Sequence, residues 1–156
     1  MKTLALKAFF ENPIFLASVT SGFFAQLIKA VIVLLSPHKK GAYDVFAALA
    51  WRTGGMPSSH ASIVAAMTTS VAFTEGVGSN LFVVSFWFAL IVMRDALGVR
   101  RSSGLQARSL NAIGKAVAEK SGIEFKPIKE IHGHKPLEVA VGALLGMFIA
   151  AAYAFL

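Results

Sequence analysis

The polar residues best suited to chemistry stand at the edges of long apolar segments. The segment 133–139, GHKPLEV, opens one of these segments and places His134 and Glu138 four residues apart. On a helix these two side chains share a face, so the carboxylate can hydrogen-bond the imidazole and fix its tautomer. The other ring nitrogen then becomes a usable nucleophile or base. The alternatives are a metal site formed by His132 and His134 and a purely structural His–Glu pair.

A second polar segment, GGMPSSHA at 54–61, has the features of an anion site at a helix N-terminus. Gly55 allows a sharp turn, and the proline that follows suits the first turn of a helix. The free N–H groups of that turn, together with the hydroxyls of Ser58 and Ser59, can bind an anion. His60 lies one turn further in and can act on the same anion as an acid or a base. The alternative is a serine-rich N-cap with an incidental histidine.

Cationic side chains are expected close to both segments. Arg100 and Arg101 end the run RDALGVRR at 94–101, and their guanidinium groups could clamp phosphate oxygens while Asp95 holds one of them in place. The alternative for these arginines is a cytoplasmic stop signal at the end of a membrane helix. Lys29 lies about two turns before the end of an apolar helix. It should face a polar cavity or an anion, because an unpaired lysine there is costly.

The composition predicts that membrane helices position these residues. Of 156 residues, 56% are hydrophobic and 15% are charged, whereas a soluble domain has about 45–50% and about 25%. These values exclude an ordinary water-soluble domain and a disordered chain, and the lack of cysteine excludes disulfides and thiolate chemistry. We expect one all-α membrane domain, residues 1–156, with about four transmembrane helices. Its predicted spans are at about 13–35, 57–75, 80–99 and 136–156.

The connections between the predicted spans carry most of the charge. An apolar piece at 45–51 is too short to span and is predicted to be an interfacial or re-entrant helix. In the polar loop 100–135, the helical spacing of Leu110, Ile113 and Val117 predicts an amphipathic helix on the membrane surface. The net charge is +7, and most lysines and arginines lie in the connection that contains this short apolar piece or in the polar loop 100–135. The positive-inside bias therefore predicts that the polar loops are cytoplasmic, in a bacterial inner membrane.

Several segments together resemble a known family. They are GGMPSSHA at 54–61, DALGVRR at 95–101, GLQARSLN at 104–111 and GHKPLEV at 133–139. They resemble the divergent branch of the type-2 phosphatidic acid phosphatase superfamily, whose members are often labelled acid phosphatase/vanadium-dependent haloperoxidase-related proteins. In the superfamily's three motifs, this chain has serine for arginine seven residues after Lys29, serine for glycine before His60, and Glu138 for aspartate. Ile128 stands where the third motif has its arginine.

The resemblance implies a membrane-embedded, metal-independent phosphatase that acts on a lipid phosphate or diphosphate and uses no cofactor. By this resemblance His134 would attack phosphorus and form a phosphohistidine, Glu138 would orient it, and His60 would protonate the leaving alkoxide. The phosphate oxygens would be held by Lys29, Ser58, Ser59, Arg100 and Arg101, with Asp95 and Gly55 in supporting roles. Both imidazoles would then flank one phosphate at the cytoplasmic membrane surface.

Two other functions would use the same residues. A non-enzymatic binder or carrier of phosphorylated lipid headgroups would use the same anion pocket without hydrolysis, and vanadate-dependent halide oxidation would share that pocket. The expected partners are a phosphorylated lipid and the membrane, with no nucleic acid. Gly142 and Gly146 have the spacing that allows close helix packing, which makes a homodimer a further prediction.

Overall fold

The computed structural model describes residues 2–35, 55–130 and 133–155, and every regular element in these ranges is an α-helix. The helices are α1 (Lys2–Phe10), α2 (Pro13–Leu34), α3 (Ser59–Glu75), α4 (Asn80–Leu97), α5 (Val99–Ser121) and α6 (Pro136–Phe155). The predicted all-α class is confirmed, and the predicted spans begin or end within a few residues of α2, α3, α4 and α6. The short apolar piece at 45–51 lies outside the described residues.

Local capping explains where two of the long helices begin. The Asn12 side chain accepts hydrogen bonds from the N–H groups of Ile14 (2.8 Å) and Phe15 (3.3 Å), and Pro13 occupies the first turn of α2. The hydroxyl of Ser79 accepts from the N–H of Phe82 at 3.1 Å and caps α4 in the same way. These caps satisfy N–H groups that have no partner within the helix.

Helix α3 lies at the centre of the bundle and packs against α2, α4 and α6. Its buried side chains are mostly small, among them Ala61, Ser62, Ala65 and Ala66. Small side chains let helix backbones approach closely, which is the main source of packing between helices in a membrane. Hydroxyl groups add contacts between helices: Ser62 Oγ donates to a carbonyl of α2 at 3.3 Å.

The glycine pair of α6 packs inside the chain, against α3. A Cβ atom on Gly142 would lie 2.3 Å from the carbonyl oxygen of Ser58, and one on Gly146 would lie 2.1 Å from that of Ser62. The two glycines therefore allow α6 to touch the backbone of α3, and they are buried by it. The expectation that they form a contact between two copies of the chain is corrected accordingly. A homodimer stays a prediction, with some other surface as its interface.

The outer faces of the helices around α3 are apolar. Large side chains such as Phe23, Trp87, Ile91 and Phe148 are exposed, the last by 79%. Within the described residues, three stretches are long and apolar enough to cross a membrane: Pro13–Leu34, Asn80–Ser121 and Pro136–Phe155. The predicted span at 57–75 corresponds to α3, which has 17 residues and several serines and threonines. The predicted number of four crossing helices is therefore not confirmed.

Helix α5 continues from α4 with only Gly98 between them. The N–H of Gly98 donates to Arg94 O, and the N–H of Ser102 donates to Gly98 O, both at 2.9 Å, so the helical bonding pattern persists across the junction. The predicted amphipathic helix is confirmed as part of α5. Its apolar residues Leu110, Ile113 and Val117 are more than half exposed. That this face rests on a membrane surface stays a prediction.

The chain turns at Gly122 and runs back along α5. Gly122 has a φ of 69°, in the left-handed region that favours glycine at the end of a helix. Asn111 then holds both backbone groups of Ile128, with distances of 2.8 Å to its N–H and 2.9 Å to its carbonyl. The Phe125 ring packs against Gly114, where a Cβ atom would overlap it. We call α5 and residues 122–130 the arm.

Candidate active site

A histidine–glutamate pair lies where α6 begins. His134 Nδ1 is 2.9 Å from Glu138 Oε2, and the His134 side chain is almost completely buried. The backbone N–H of His134 donates to Ala96 O at the end of α4 (3.2 Å), while the N–H of Lys135 donates to the same Glu138 oxygen (3.2 Å). With Nδ1–H donated to the carboxylate, the lone pair of a neutral imidazole is on Nε2. The pair can therefore present a basic, oriented nitrogen.

The start of α3 packs directly on this pair. The N–H of Ser58 donates to the carbonyl oxygen of Glu138 at 2.9 Å, and Gly142 leaves room for the Ser58 backbone. The Ser58 hydroxyl caps α3 by accepting from the N–H of Ala61 at 3.4 Å. Gly55 precedes this segment with a φ of 86°, so it fulfils its expected role in the turn. Ser58 and Glu138 are 80 residues apart in sequence, and their contact joins the two polar segments through their backbones.

Lys29 reaches the same place from α2. Its side chain is buried, and Nζ donates to the hydroxyl oxygen of Ser59 at 3.4 Å. The carboxylate of Glu138 lies within electrostatic range of this ammonium group. A buried lysine needs such partners, because an isolated charge in a membrane helix is costly. The structure therefore brings Lys29, Ser59, His134 and Glu138 into one buried polar cluster.

His60 lies on the first turn of α3, at the same end of the bundle. It is partly buried and stands between Ser59 and Ala61. Ala61 packs with Ala96 of α4 and Val139 of α6. This packing keeps the first turn of α3 beside the end of α4 and the start of α6, where the histidine–glutamate pair is found.

Asp95, near the end of α4, and Arg101, at the start of α5, lie in different surroundings. Asp95 is partly buried and directly precedes Ala96, whose carbonyl binds the His134 backbone. The Arg100 side chain lies outside the described residues. The Arg101 side chain is exposed, and its backbone touches Gly133, where a Cβ atom would lie 2.4 Å from Arg101 Cα.

Arg101 lines a cavity of about 270 Å³ between the arm and the segment leading into α6. Four charged residues are among the described residues that line it: Arg101, Arg108, Glu130 and Lys135. Arg108 Nε is 3.4 Å from Glu130 Oε2. The sequence analysis did not name Arg108, Glu130 and Lys135 as site residues. The seven-residue spacing of Arg101 and Arg108, two helical turns, is the pattern that could have indicated a shared face.

A metal site was the competing interpretation of the histidines. Of its two proposed ligands, His132 lies outside the described residues. Within residues 2–35, 55–130 and 133–155, no group of three or more His, Cys, Asp or Glu side chains is arranged to hold a metal ion.

Comparison with known proteins agrees with the resemblance drawn from the polar segments. Residues 10–149 match the model of the divergent PAP2 family. The chain is 39% identical over 153 residues to the uncharacterized membrane protein YuiD of Bacillus subtilis (strain 168), covering 90% of this chain and 92% of that protein. No solved structure matches the chain. From this match, and from its long apolar helices, the chain belongs to the divergent PAP2 family and is an integral membrane protein.

Proposed function

We propose that this protein is a membrane-embedded phosphatase that removes a phosphate from a lipid phosphate or diphosphate. The observation that carries the proposal is the 2.9 Å contact between His134 Nδ1 and Glu138 Oε2, beside a buried lysine and the N-terminus of α3. A carboxylate that holds one imidazole nitrogen makes the other a better nucleophile and stabilises the positive charge that develops on the ring. Membership of the divergent PAP2 family supports the same chemistry.

The reaction has two steps that balance in protons and bonds. His134 Nε2 attacks phosphorus, the bond from phosphorus to the leaving oxygen breaks, and His60 donates a proton to that oxygen. Water then attacks the phosphohistidine, His60 takes its proton, and inorganic phosphate leaves with Nε2 restored. Glu138 keeps its hydrogen bond to Nδ1 throughout. No metal or cofactor takes part in this scheme.

Catalysis of phosphoryl transfer depends mainly on stabilising the oxygens around phosphorus. In the proposal, Lys29 supplies a buried positive charge, and the first N–H groups of α3 with the hydroxyls of Ser58 and Ser59 supply neutral donors. Arg100 and Arg101 complete the set. The excess of lysine and arginine in the polar loops supports a site on the cytoplasmic side of a bacterial inner membrane.

The direct test is phosphate release by the purified full chain in detergent. The substrates are phosphatidic acid, a polyprenyl diphosphate and phosphatidylglycerol phosphate. We expect release from at least one of them, its loss in His134→Ala, and its retention in Gln106→Ala, which alters an exposed residue of α5. A correctly folded protein that releases phosphate from none of the three contradicts the proposal.

A second candidate function is binding or carriage of a phosphorylated lipid without hydrolysis. It is favoured by one observation: His134 is 3% exposed, whereas the cationic side chains of Arg101 and Lys135 are open to solvent. A buried His–Glu pair can serve structure alone, while exposed cations bind the headgroup. A carrier would keep its function in His134→Ala and lose headgroup binding in Arg101→Ala. The enzyme would show turnover that disappears in His134→Ala.

A further inference from the structure

The cavity between the arm and the start of α6 is separate from the proposed catalytic pair. Its wall contains Arg101, Arg108, Glu130 and Lys135, and it contains none of the buried polar cluster around His134. Its volume of about 270 Å³ is roughly nine times the share of one molecule in liquid water. There is room for a polyatomic ion together with ordered water.

The charges on the cavity wall favour an anion. Among the described residues that line it, three of the four charged ones are cationic, which leaves a net charge of +2 (+3 and −1). The carboxylate among them, Glu130, is already engaged by Arg108 at 3.4 Å and by Asn111 Nδ2 at 3.1 Å. Within the described residues, neither the Arg101 guanidinium nor the Lys135 ammonium forms an ion pair. Two cations on this wall are therefore available for a ligand.

The cavity borders the catalytic pair through the backbone. Gly133 forms part of the wall and touches Arg101, and Lys135 forms another part. His134 lies between these two residues in sequence and turns its side chain inward to Glu138. An anion in the cavity would thus be held on the outer side of the segment whose inner side carries the proposed nucleophile.

We propose that this cavity is a second oxyanion site, which binds a phosphate group. Guanidinium groups match phosphate oxygens with two parallel hydrogen bonds, and a lysine adds a mobile positive charge. The phosphate belongs either to the ligand whose other phosphate occupies the His134 site or to free inorganic phosphate. The proposal does not depend on hydrolysis, because an anion site can be measured by binding alone.

Variants of the Arg108–Glu130 pair test the site with opposite expected outcomes. Binding of inorganic phosphate to the full chain in detergent is measured by titration calorimetry. Arg108→Gln removes a cation and should weaken phosphate binding about tenfold, the size of one charge-assisted hydrogen bond. Glu130→Gln removes the competing carboxylate, raises the net wall charge to +3, and should strengthen binding about threefold. Lys115→Gln, an exposed cation of α5 outside the cavity, is the matched control and should change nothing.

A purely structural role for the pair predicts a different pattern. Both substitutions break the same Arg108–Glu130 contact, so both would weaken binding to the same degree through a disturbed arm. Equal losses, or no effect of either substitution, would overturn the proposal. Lys135→Gln is the second variant, because its side chain is exposed and the hydrogen bonds that hold residues 128–130 come from Asn111. It should weaken phosphate binding with unchanged circular dichroism and gel-filtration profiles, and unchanged affinity contradicts the proposal.

A second set of titrations identifies the source of the phosphate. The probes are short-chain lipids that carry a non-hydrolysable phosphonate or a non-hydrolysable bisphosphonate. If both phosphates belong to one ligand, the bisphosphonate should bind about tenfold more tightly, and Arg108→Gln should remove that advantage. If the second phosphate is free, the two lipids should bind alike, and inorganic phosphate should still bind to the lipid-saturated protein. Loss of catalytic turnover alone would leave both results intact, so failure of the phosphatase proposal is distinguishable.

Discussion

In the bundle, α3 and α6 approach until the carbonyl oxygens of Ser58 and Ser62 occupy the space of missing side chains on Gly142 and Gly146. In the arm, helix α5 has most of its surface exposed and is covered along one side by a single extended segment. That segment is held by side chains, chiefly Asn111, rather than by the contact of one helix backbone with another. The bundle tolerates little change of shape, whereas the arm depends on a few polar contacts.

This difference assigns separate tasks to the two regions. The bundle fixes the positions of Lys29, Ser59, His134 and Glu138, all of which are tied to backbone groups or to one another. The arm contributes exposed cations around a cavity that borders this cluster. Substitutions in the bundle should therefore damage catalysis and stability together. Substitutions in the arm should alter local order and anion binding while the bundle stays folded.

The largest effect is expected for Glu138→Gln. The amide can still accept hydrogen bonds, but it no longer stabilises a positive imidazole, so kcat should fall by between about 10²- and 10⁴-fold. Steady-state phosphate release with a measured circular dichroism spectrum tests this. Glu119→Gln, an exposed carboxylate of α5, is the matched control and should keep full activity. Full activity in Glu138→Gln would show that the pair serves structure alone.

The next largest effect is expected for Gly146→Ala, on stability. The added Cβ would lie 2.1 Å from a backbone carbonyl, which cannot move without separating α3 from α6. The free energy of unfolding should fall by about 2–3 kcal/mol. Thermal or denaturant unfolding in detergent measures this loss. Gly78→Ala is the control, because a Cβ there meets nothing within 4 Å and should leave stability unchanged.

Gly114→Ala tests whether the arm can be disturbed without destabilising the bundle. Its Cβ would overlap the Phe125 ring, a side chain that can turn away with the segment that carries it. We expect the unfolding transition of the bundle to be preserved in this variant. A loss as large as that of Gly146→Ala would contradict the separation of the bundle from the arm.

The effect of Asn111→Ala should be confined to the arm. It removes the hydrogen bonds to the N–H and carbonyl of Ile128 and to Glu130 Oε1, which together hold residues 128–130 against α5. Local opening should become easier by about 2 kcal/mol, so residues 122–130 should exchange amide hydrogens faster. Exchange in α3 and α6 should not change. Asn80→Ala, at an exposed position of α4, is the control, and equal exchange in both variants would contradict this account.

Most of the helices could be predicted from the long apolar segments and the prolines of the sequence. The bounds of the expected spans lie close to those of α2, α3, α4 and α6. Pro13 and Pro136 occupy the first turns of α2 and α6, whereas Pro57 precedes the N-cap of α3. The helix that packs against Gly142 and Gly146 could not be predicted. Their spacing indicates that another helix approaches closely, but it does not indicate whether that helix belongs to the same chain or to a second copy. The packing of residues 122–130 along α5 was not predicted either, because the contacts of Asn111 with Ile128 follow no periodic pattern in the sequence.

The site was predictable where spacing alone determines contact. The separation of His134 and Glu138 by four residues correctly implied their hydrogen bond, although His134 lies two residues before the start of α6. The contact of Ser58 with the Glu138 backbone was not predictable, because it joins residues 80 apart through the packing of α3 on α6. The cavity at Arg101 and Arg108 depends on the return of the chain to Gly133, which no local pattern encodes.

The central claim is that His134 carries the phosphate during turnover. The most direct measurement is to mix the purified chain with a lipid phosphate labelled with radioactive phosphorus, stop the reaction in base, and locate the label on the protein. The account predicts an acid-labile, base-stable phosphohistidine at His134, lost together with phosphate release in His134→Ala. Phosphate release that continues in His134→Ala, or label on another residue, would contradict it.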